Sequence, residues 1–499
     1  MAQSDPVRLY VTMKTTPDLL GLYRSRDFNA LTRFTLALLA SAATHDRNSK
    51  GDPTGNTVPA TAAPTGTSPF AGRVQVIATP SLRWRSAFVE ARDHPVADAA
   101  VAAAPIVPAS LVVTYRADTA DIARVFLDAV NARRNQPLDT AGNTFLGAGF
   151  DPGGAVYDHW CPGAGTGAIF GHRAHARQTL RAEALAAAGF RGQRVNVVII
   201  DEGLDKAQIP PGNWGGGLDH YLDDDLVLPA GGAPPTSHGM MIARSVLDLA
   251  PDAKLYDVPV IPATNPPALP VFVSTVQAAY IALLQVIEAR RPLPPWSGPW
   301  VLVNAWGIFD TSTDPTGSYT RNTEPGGHPM INLVTQMVEQ DRLDVVFAAG
   351  NCGQFCPDQQ CGRLDRGPGH SIWGANAHPL VLTVSAVRSD ETWLGYASQG
   401  PGPELLGMQK PDLCASTQFC ETHDAAMLSS GTSASCAMAA GVVAALRGNP
   451  AWDQATVTPQ ALKAALLLAA RRPSGAAGWD NRLGFGIIDA AATIAGLPG

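Results

Sequence analysis

The sequence has no excess of basic charge. Its 499 residues carry 36 lysines and arginines against 43 aspartates and glutamates, for a net charge of −7. Proteins that bind nucleic acid generally show a basic face, so that class of partner is not expected. Long apolar runs are missing too. The best one, residues 34–43, is uncharged but too short to span a bilayer, and it reads as a helix packed inside the N-terminal region. Met1-Ala2-Gln3-Ser4-Asp5-Pro6 lacks the basic start and apolar core of a secretory signal. The expectation is therefore a cytoplasmic protein with no membrane partner. No internal repeat is evident. Cysteine is limited to positions 161, 352, 356, 361, 414, 420 and 436, with no CxxC pair among them.

What is present fits a loop-rich α/β protein: 45% hydrophobic residues, 48 glycines and 41 prolines. The length is ample for one large α/β domain and a smaller one. Strands are expected at 8–13, 73–78 and 110–115, and helices at 27–43 and 118–133. Residues 46–72, rich in Gly, Pro, Thr, Ala and Ser, read as a mobile loop. Residues 1–137 thus form a separate small α+β domain, followed by a Gly-rich connector at 138–175 and a larger domain at 176–499. In that larger domain helices are expected at 179–188, 238–249, 271–290, 329–341, 432–447 and 459–471. They alternate with strands at 194–203, 254–260, 299–304, 344–349 and 380–386. Such alternation argues for a doubly wound, mostly parallel sheet with helices on both faces.

Gly431-Thr432-Ser433-Ala434-Ser435 is a small-residue turn opening an apolar helical run. It lifts the Ser433 hydroxyl onto a helix N-terminus, where dipole and free N–H groups favour developing negative charge. Upstream lie three further segments. Val197-Val198-Ile199-Ile200-Asp201 is a buried-strand pattern ending in a carboxylate. Thr236-Ser237-His238-Gly239 precedes a helical run. Val345-Val346-Phe347-Ala348-Ala349-Gly350-Asn351 is a second apolar strand, ending in an amide. Taken singly, each residue has an ordinary reading as a cap, turn or loop group. In an open parallel sheet, functional groups gather beyond the carboxyl ends of the strands, so Asp201, His238, Asn351 and Ser433 could converge.

In this order the four residues resemble the subtilisin-like serine peptidases, the subtilases. Lys410-Pro411-Asp412-Leu413, Val381-Leu382-Thr383-Val384-Ser385-Ala386-Val387 and Gly484-Phe485-Gly486-Ile487-Ile488-Asp489-Ala490-Ala491 resemble further segments of that family, over roughly residues 175–497. The resemblance implies a subtilisin-like α/β fold and a serine endopeptidase acting through an acyl-enzyme on a protein or peptide substrate. Ser433 would be the nucleophile, His238 the general base, Asp201 its orienting carboxylate and Asn351 the oxyanion donor, and the chemistry would need no cofactor. Asn304-Ala305-Trp306-Gly307 resembles the family's substrate-binding edge, with Ala305 in place of Ser. Glu202 stands where Ser or Thr is usual after the aspartate. Ala434-Ser435-Cys436-Ala437 replaces the usual Met-Ala-small-Pro. These departures bear on rate and specificity more than on reaction type. A catalytically idle peptide-binding protein using the same cleft is the alternative.

Cys352, Cys356 and Cys361 follow Asn351 closely. They are open to three readings: ligands of a structural zinc, a disulfide, or free core thiols. Asp223-Asp224-Asp225 is a weak calcium candidate without cage-forming spacing. Residues 1–137 would be a propeptide-like domain or a docking unit for a regulatory partner.

Overall fold

The computed structural model describes residues 7–25, 27–48, 69–78, 84–86, 109–156, 171–222, 225–261, 272–294, 296–421, 427–473, 475 and 478–497. The chain opens with β1 (Val7–Lys14), α1 (Pro17–Ser25), α2 (Phe28–Asn48), β2 (Val74–Ala78), β3 (Trp84–Ser86), β4 (Ser110–Ala117), α3 (Ala120–Asn131) and β5 (Phe145–Phe150). Four of these strands pair antiparallel in the order β2-β4-β1-β5. Side chains alternate across β1 and β4 with the two-residue period of a strand. Leu9, Val11, Met13, Leu111, Val113 and Tyr115 face the helices of this unit, whereas Tyr10 and Val112 face the larger domain. In α3, Thr119 caps the first turn, and Ile122, Phe126 and Val130 bury one face at helical spacing.

The larger unit is introduced by β6 (Ala155–Val156), α4 (Arg173–Thr179) and α5 (Glu183–Ala187). Then come β7 (Asn196–Asp201), β8 (Trp214–Leu222), β9 (Asp225–Leu228), α6 (His238–Leu249), β10 (Lys254–Pro259) and α7 (Phe272–Arg290). They are followed by β11 (Trp300–Asn304), β12 (Trp306–Gly307), α8 (Pro329–Glu339), β13 (Asp344–Ala348), β14 (Leu382–Val387), β15 (Leu413–Ser416), α9 (Gly431–Arg447) and α10 (Pro459–Ala469). Seven strands run parallel in the order β15-β14-β13-β11-β7-β10-β8, and β3 and β9 pair antiparallel with β8 at the far side. Both faces are covered, which is why the central strands are apolar throughout. Val197, Ile199, Val301 and Val303 pack toward α6, α9 and α10, whereas Val198, Ile200 and Leu302 pack toward α7 and α8. The larger unit is thus the doubly wound, mostly parallel α/β fold expected from the sequence, with a small N-terminal α+β domain beside it.

Helix α7 is long and apolar enough to cross a membrane by length and composition. Its all-round apolarity has another cause, because it lies between the parallel sheet and the N-terminal sheet. The Tyr10 hydroxyl donates to Gln277 Oε1 at 2.5 Å, and Gln277 Nε2 donates to Thr12 Oγ1 at 2.8 Å. The Asp151 carboxylate accepts from the Ser274 N–H at 3.0 Å and its hydroxyl at 2.6 Å. Arg124 pairs with Glu324 at 3.0 Å, just ahead of α8.

Several expectations are revised. The stretch 138–175 is not simply a connector, since β5 completes the N-terminal sheet and β6 pairs with β12. The helix expected at 179–188 is broken, because Arg181 adopts a left-handed φ of 50° between α4 and α5. Strand β8 was not expected, because Gly215-Gly216-Gly217 carries no strand signal. Pairing with β10 imposes the extended form. Residue 161, most of loop 46–72, Asp223 and Asp224 lie outside the described residues.

Candidate active site

Asp201 is the last residue of β7 and is buried. His238 is the first residue of α6, whose N-cap Ser237 accepts from the Met240 N–H. The Ser237 hydroxyl also donates to the Gly203 carbonyl at 2.9 Å, tying the helix start to the loop after Asp201. That approach requires Gly239, since a Cβ there would lie 2.4 Å from the Gly203 carbonyl oxygen. The result is a 2.7 Å contact between His238 Nδ1 and Asp201 Oδ1. A carboxylate at Nδ1 holds the proton there and leaves Nε2 as the basic atom.

Helix α9 packs along α6 and carries Ser433 as its third residue. The Ser433 hydroxyl donates to the Ala305 carbonyl at 3.1 Å. Asn351 follows β13, one strand beyond β11 in the sheet. Its Oδ1 accepts from both the N–H and the hydroxyl of Thr432, each at 3.0 Å. The Thr432 hydroxyl in turn accepts from the Gly350 N–H at 3.1 Å. Two donors on one oxygen fix the amide orientation, so Nδ2 has a set direction. It is buried with no hydrogen-bond partner. An amide donor held this way, beside the first turn of a helix, suits an oxyanion.

The four residues singled out by sequence therefore come from the ends of β7 and β13 and the starts of α6 and α9. The Asn304–Gly307 group divides. Asn304 does not face a peptide: its side chain is buried, accepting from Tyr280 Oη at 2.5 Å and donating to the Val346 carbonyl at 3.3 Å. Ala305 supplies the carbonyl beside Ser433. Trp306 and Gly307 form β12, and their backbone edge pairs antiparallel with Val156 and Ala155.

Three residues were missed as contributors. Thr432 orients Asn351, and its place inside the Gly-Thr-Ser turn was an available signal. Glu202 accepts from the His238 backbone N–H at 3.0 Å, capping α6 with a charge where the helix dipole favours one. Asn376 donates to the Trp306 and Ala348 carbonyls at 2.8 and 2.9 Å, binding β12 to the end of β13. No local pattern marked it.

Cys352 and Cys361 form a disulfide. The three-cysteine zinc candidate is thereby dismantled, with Cys356 left as a thiol. Among the described residues no group of three or more His, Cys, Asp or Glu side chains is placed to hold a metal. The bridge closes the loop that starts at Asn351, whose carbonyl also accepts from the Asp358 N–H at 2.9 Å. Cutting it should let the amide drift, and a misplacement of about 1 Å at a catalytic site costs up to about 10²-fold. Reductant, or Cys361→Ser, is expected to lower kcat while a chelator has no effect. Full activity in reduced protein would show that the bridge does not position Asn351.

The sequence profile of the peptidase S8 (subtilase) family matches residues 231–486, which include His238, Asn351 and Ser433. The chain belongs to the subtilase family. It is a subtilisin-like serine endopeptidase, and its substrate is protein. No curated protein matches this subtilase. Crystal structures of MycP1 resemble it. One, from the ESX-1 type VII secretion system, is 18% identical over 70% of this chain and 92% of its own, with a TM-score of 0.44. A second, from Mycobacterium smegmatis, is 18% identical over 70% and 91%, with a TM-score of 0.44. A third, with the N-terminal propeptide removed, is 19% identical over 65% and 97%, at 0.42.

One further carboxyl of this subtilase stands beneath the site. Asp257 on β10 accepts from the Leu204 and Gly231 N–H groups at 3.0 and 2.8 Å. Burial pushes its carboxyl from the ordinary 3.8 up to about 7, with the Asp201 charge adding to the rise. The folded chain then binds a proton that the unfolded chain has released between these two pH values. This group's contribution to stability is present below the lower value and is lost as pH rises through about 7. Asp257→Asn should remove that component and raise Tm relative to the parent above neutral pH. Parallel Tm curves for the two proteins across pH 4–9 would refute it.

Proposed function

We propose that this subtilase cleaves peptide bonds with Ser433 as nucleophile, His238 as general base and acid, Asp201 as its orienting partner and Asn351 as oxyanion donor. His238 Nε2 takes the Ser433 proton as Oγ attacks the carbonyl. The tetrahedral oxygen receives the Asn351 Nδ2–H and the Ser433 backbone N–H. His238 then returns the proton to the leaving amine, and water activated by the same imidazole hydrolyses the acyl-enzyme. The observation that carries this reading is the 2.7 Å Asp201–His238 pair at the start of α6, the helix that packs along the serine-bearing α9.

The enzyme is regulated through its N-terminal domain. Its sheet sits on α7, and the chain leaving β5 lies along the backbone edge of β12, where an extended substrate would add as a strand. That domain thus competes with substrate for the cleft. The Cys352–Cys361 bridge favours an oxidising compartment, against the cytoplasmic expectation. The test is labelling of the intact chain by a small serine-reactive fluorophosphonate, with the modified peptide located by mass spectrometry. Modification at Ser433 supports the assignment. No modification under any condition supports the idle peptide-binding alternative.

A further inference from the structure

Two carboxyl groups buried beneath the site each have one oxygen without a partner. Asp201 Oδ1 receives His238 Nδ1 at 2.7 Å and the Glu202 N–H at 2.8 Å. Asp257 Oδ2 receives the Leu204 and Gly231 N–H groups at 3.0 and 2.8 Å. Asp201 Oδ2 and Asp257 Oδ1 are buried with no hydrogen-bond partner. Protein interiors seldom leave such atoms unpaired.

The sheet puts both groups on one face. Strands β7 and β10 are parallel neighbours, and Asp257 lies opposite Ile199, two residues before Asp201. Ile199 and Leu255 pack toward α6, whereas Ile200, Tyr256 and Val258 pack toward α7. By the two-residue period of a strand, both carboxyls therefore point to the α6 side. Their backbones are ~4.8 Å apart across the sheet and ~6.6 Å along it, a gap that two aspartate side chains can close directly or across one water. Asp257 also holds the loop after Asp201, since its partner Leu204 follows Gly203, whose carbonyl accepts from the Ser237 hydroxyl.

A proton satisfies both orphaned oxygens. Burial favours the neutral form of Asp257, and the two N–H bonds oppose it. The neighbouring charges, Asp201 on β7 and Asp219 on β8, are both negative and favour the neutral form again. His238 and Glu202 face each other at the start of α6, with Asp201 on the imidazole. On α9 the Cys436 thiol is held protonated by burial, to which the Asp201 charge adds. A neutral Asp257 thus accepts the two N–H groups at Oδ2 and has a hydroxyl to donate at Oδ1.

We propose that Asp257 is a positioning residue for the Ser433 chemistry: its neutral carboxyl donates from Oδ1 to Asp201 Oδ2, directly or across one water, and so holds the carboxylate that orients His238. The inference rests on the proposed reading of Asp201, His238 and Ser433 as a working triad. A carboxylic acid kept neutral by a dry site is a competent donor at neutral pH. Once ionised, Asp257 has no proton to give and repels Asp201. The arrangement is therefore intact below the folded value of about 7 and is lost as pH rises through it.

The experiment follows labelling of Ser433 in the full chain by a small fluorophosphonate between about pH 6 and 9, with circular dichroism on the same samples. The parent should label at least about tenfold more slowly at the alkaline end than at its optimum, with its fold intact, the order of loss expected when catalytic groups shift by about 1 Å. Asp257→Asn keeps a carbonyl oxygen for the two N–H groups and presents an amide N–H in place of the proton at every pH. Its rate should stay within about threefold of its own optimum through the alkaline range. A purely structural Asp257 would not separate the two profiles. A parent rate that is flat through the alkaline range overturns the proposal, whether or not the variant folds. So does an alkaline fall that Asp257→Asn shares, or one that coincides with loss of the circular dichroism signal. Absence of labelling in the parent at every pH would instead sink the peptidase reading on which the inference rests.

Discussion

Ser433→Ala leaves a folded protein that no longer turns over a denatured protein substrate. The substitution deletes one oxygen. That oxygen donates to the Ala305 carbonyl, a buried hydrogen bond whose loss costs about 1 kcal/mol. Alanine is the best helix former, which offsets part of this loss in the first turn of α9. The chemical loss is far larger. Without the hydroxyl no acyl-enzyme can form, and the remaining groups cannot act as a unit, so the expected fall in kcat is on the order of 10⁴–10⁶. Thermal unfolding and initial-rate measurements on the same sample separate the two effects. A Tm close to the parent with activity absent is the expected pair of results. Turnover within tenfold of the parent would remove Ser433 from the role of nucleophile.

Asn351→Ala is expected to lower kcat by about 10²–10³ while leaving KM nearly unchanged. The oxyanion exists only in and around the transition state, so a donor aimed at it stabilises that state and not the bound substrate. The contrast with Thr432→Val sharpens the test. That change keeps the Asn351 amide but removes one of the two donors that fix Oδ1, and it also removes the acceptor for the Gly350 N–H. Its kcat should fall between those of the parent and Asn351→Ala. A rise in KM at constant kcat for Asn351→Ala would assign the amide to ground-state binding. A Thr432→Val enzyme with unchanged kcat would show that Thr432 does not hold the amide in place.

The elements that carry the site were legible because each has a local signature. Helix α6 spans His238–Leu249 as its Ser237 cap and apolar spacing predict. Strands β7 and β13 read as unbroken apolar runs because both of their faces are buried. Asp201 and Asn351 mark the points where those runs stop, and His238 and Ser433 the points where helices start. Residue order then carried the family resemblance. All of this is short-range information, written in windows of a few residues.

The tertiary structure alone decided what lies between those windows. Among the cysteines, spacing left zinc, disulfide and free thiol open. The folding back of the loop after Asn351 brought Cys352 and Cys361 to a Cα separation of 5.7 Å and so chose the disulfide. Glu202 stood out only as a departure from the family, and its task became visible once α6 was placed with the His238 N–H against it. Asn376 had no signal, since a buried amide tying two strands depends on partners distant in sequence. The pairing of Ala155 and Val156 with Trp306 and Gly307 is the furthest from the sequence. Two residues have no periodicity to read, and their partner strand is about 150 positions away. What the sequence by itself determined was the fold class, the family and the kind of chemistry, because these rest on local patterns in a fixed order. Which cysteines pair and which segment lies along the β12 edge are set by packing between distant segments, and only the assembled structure holds that information.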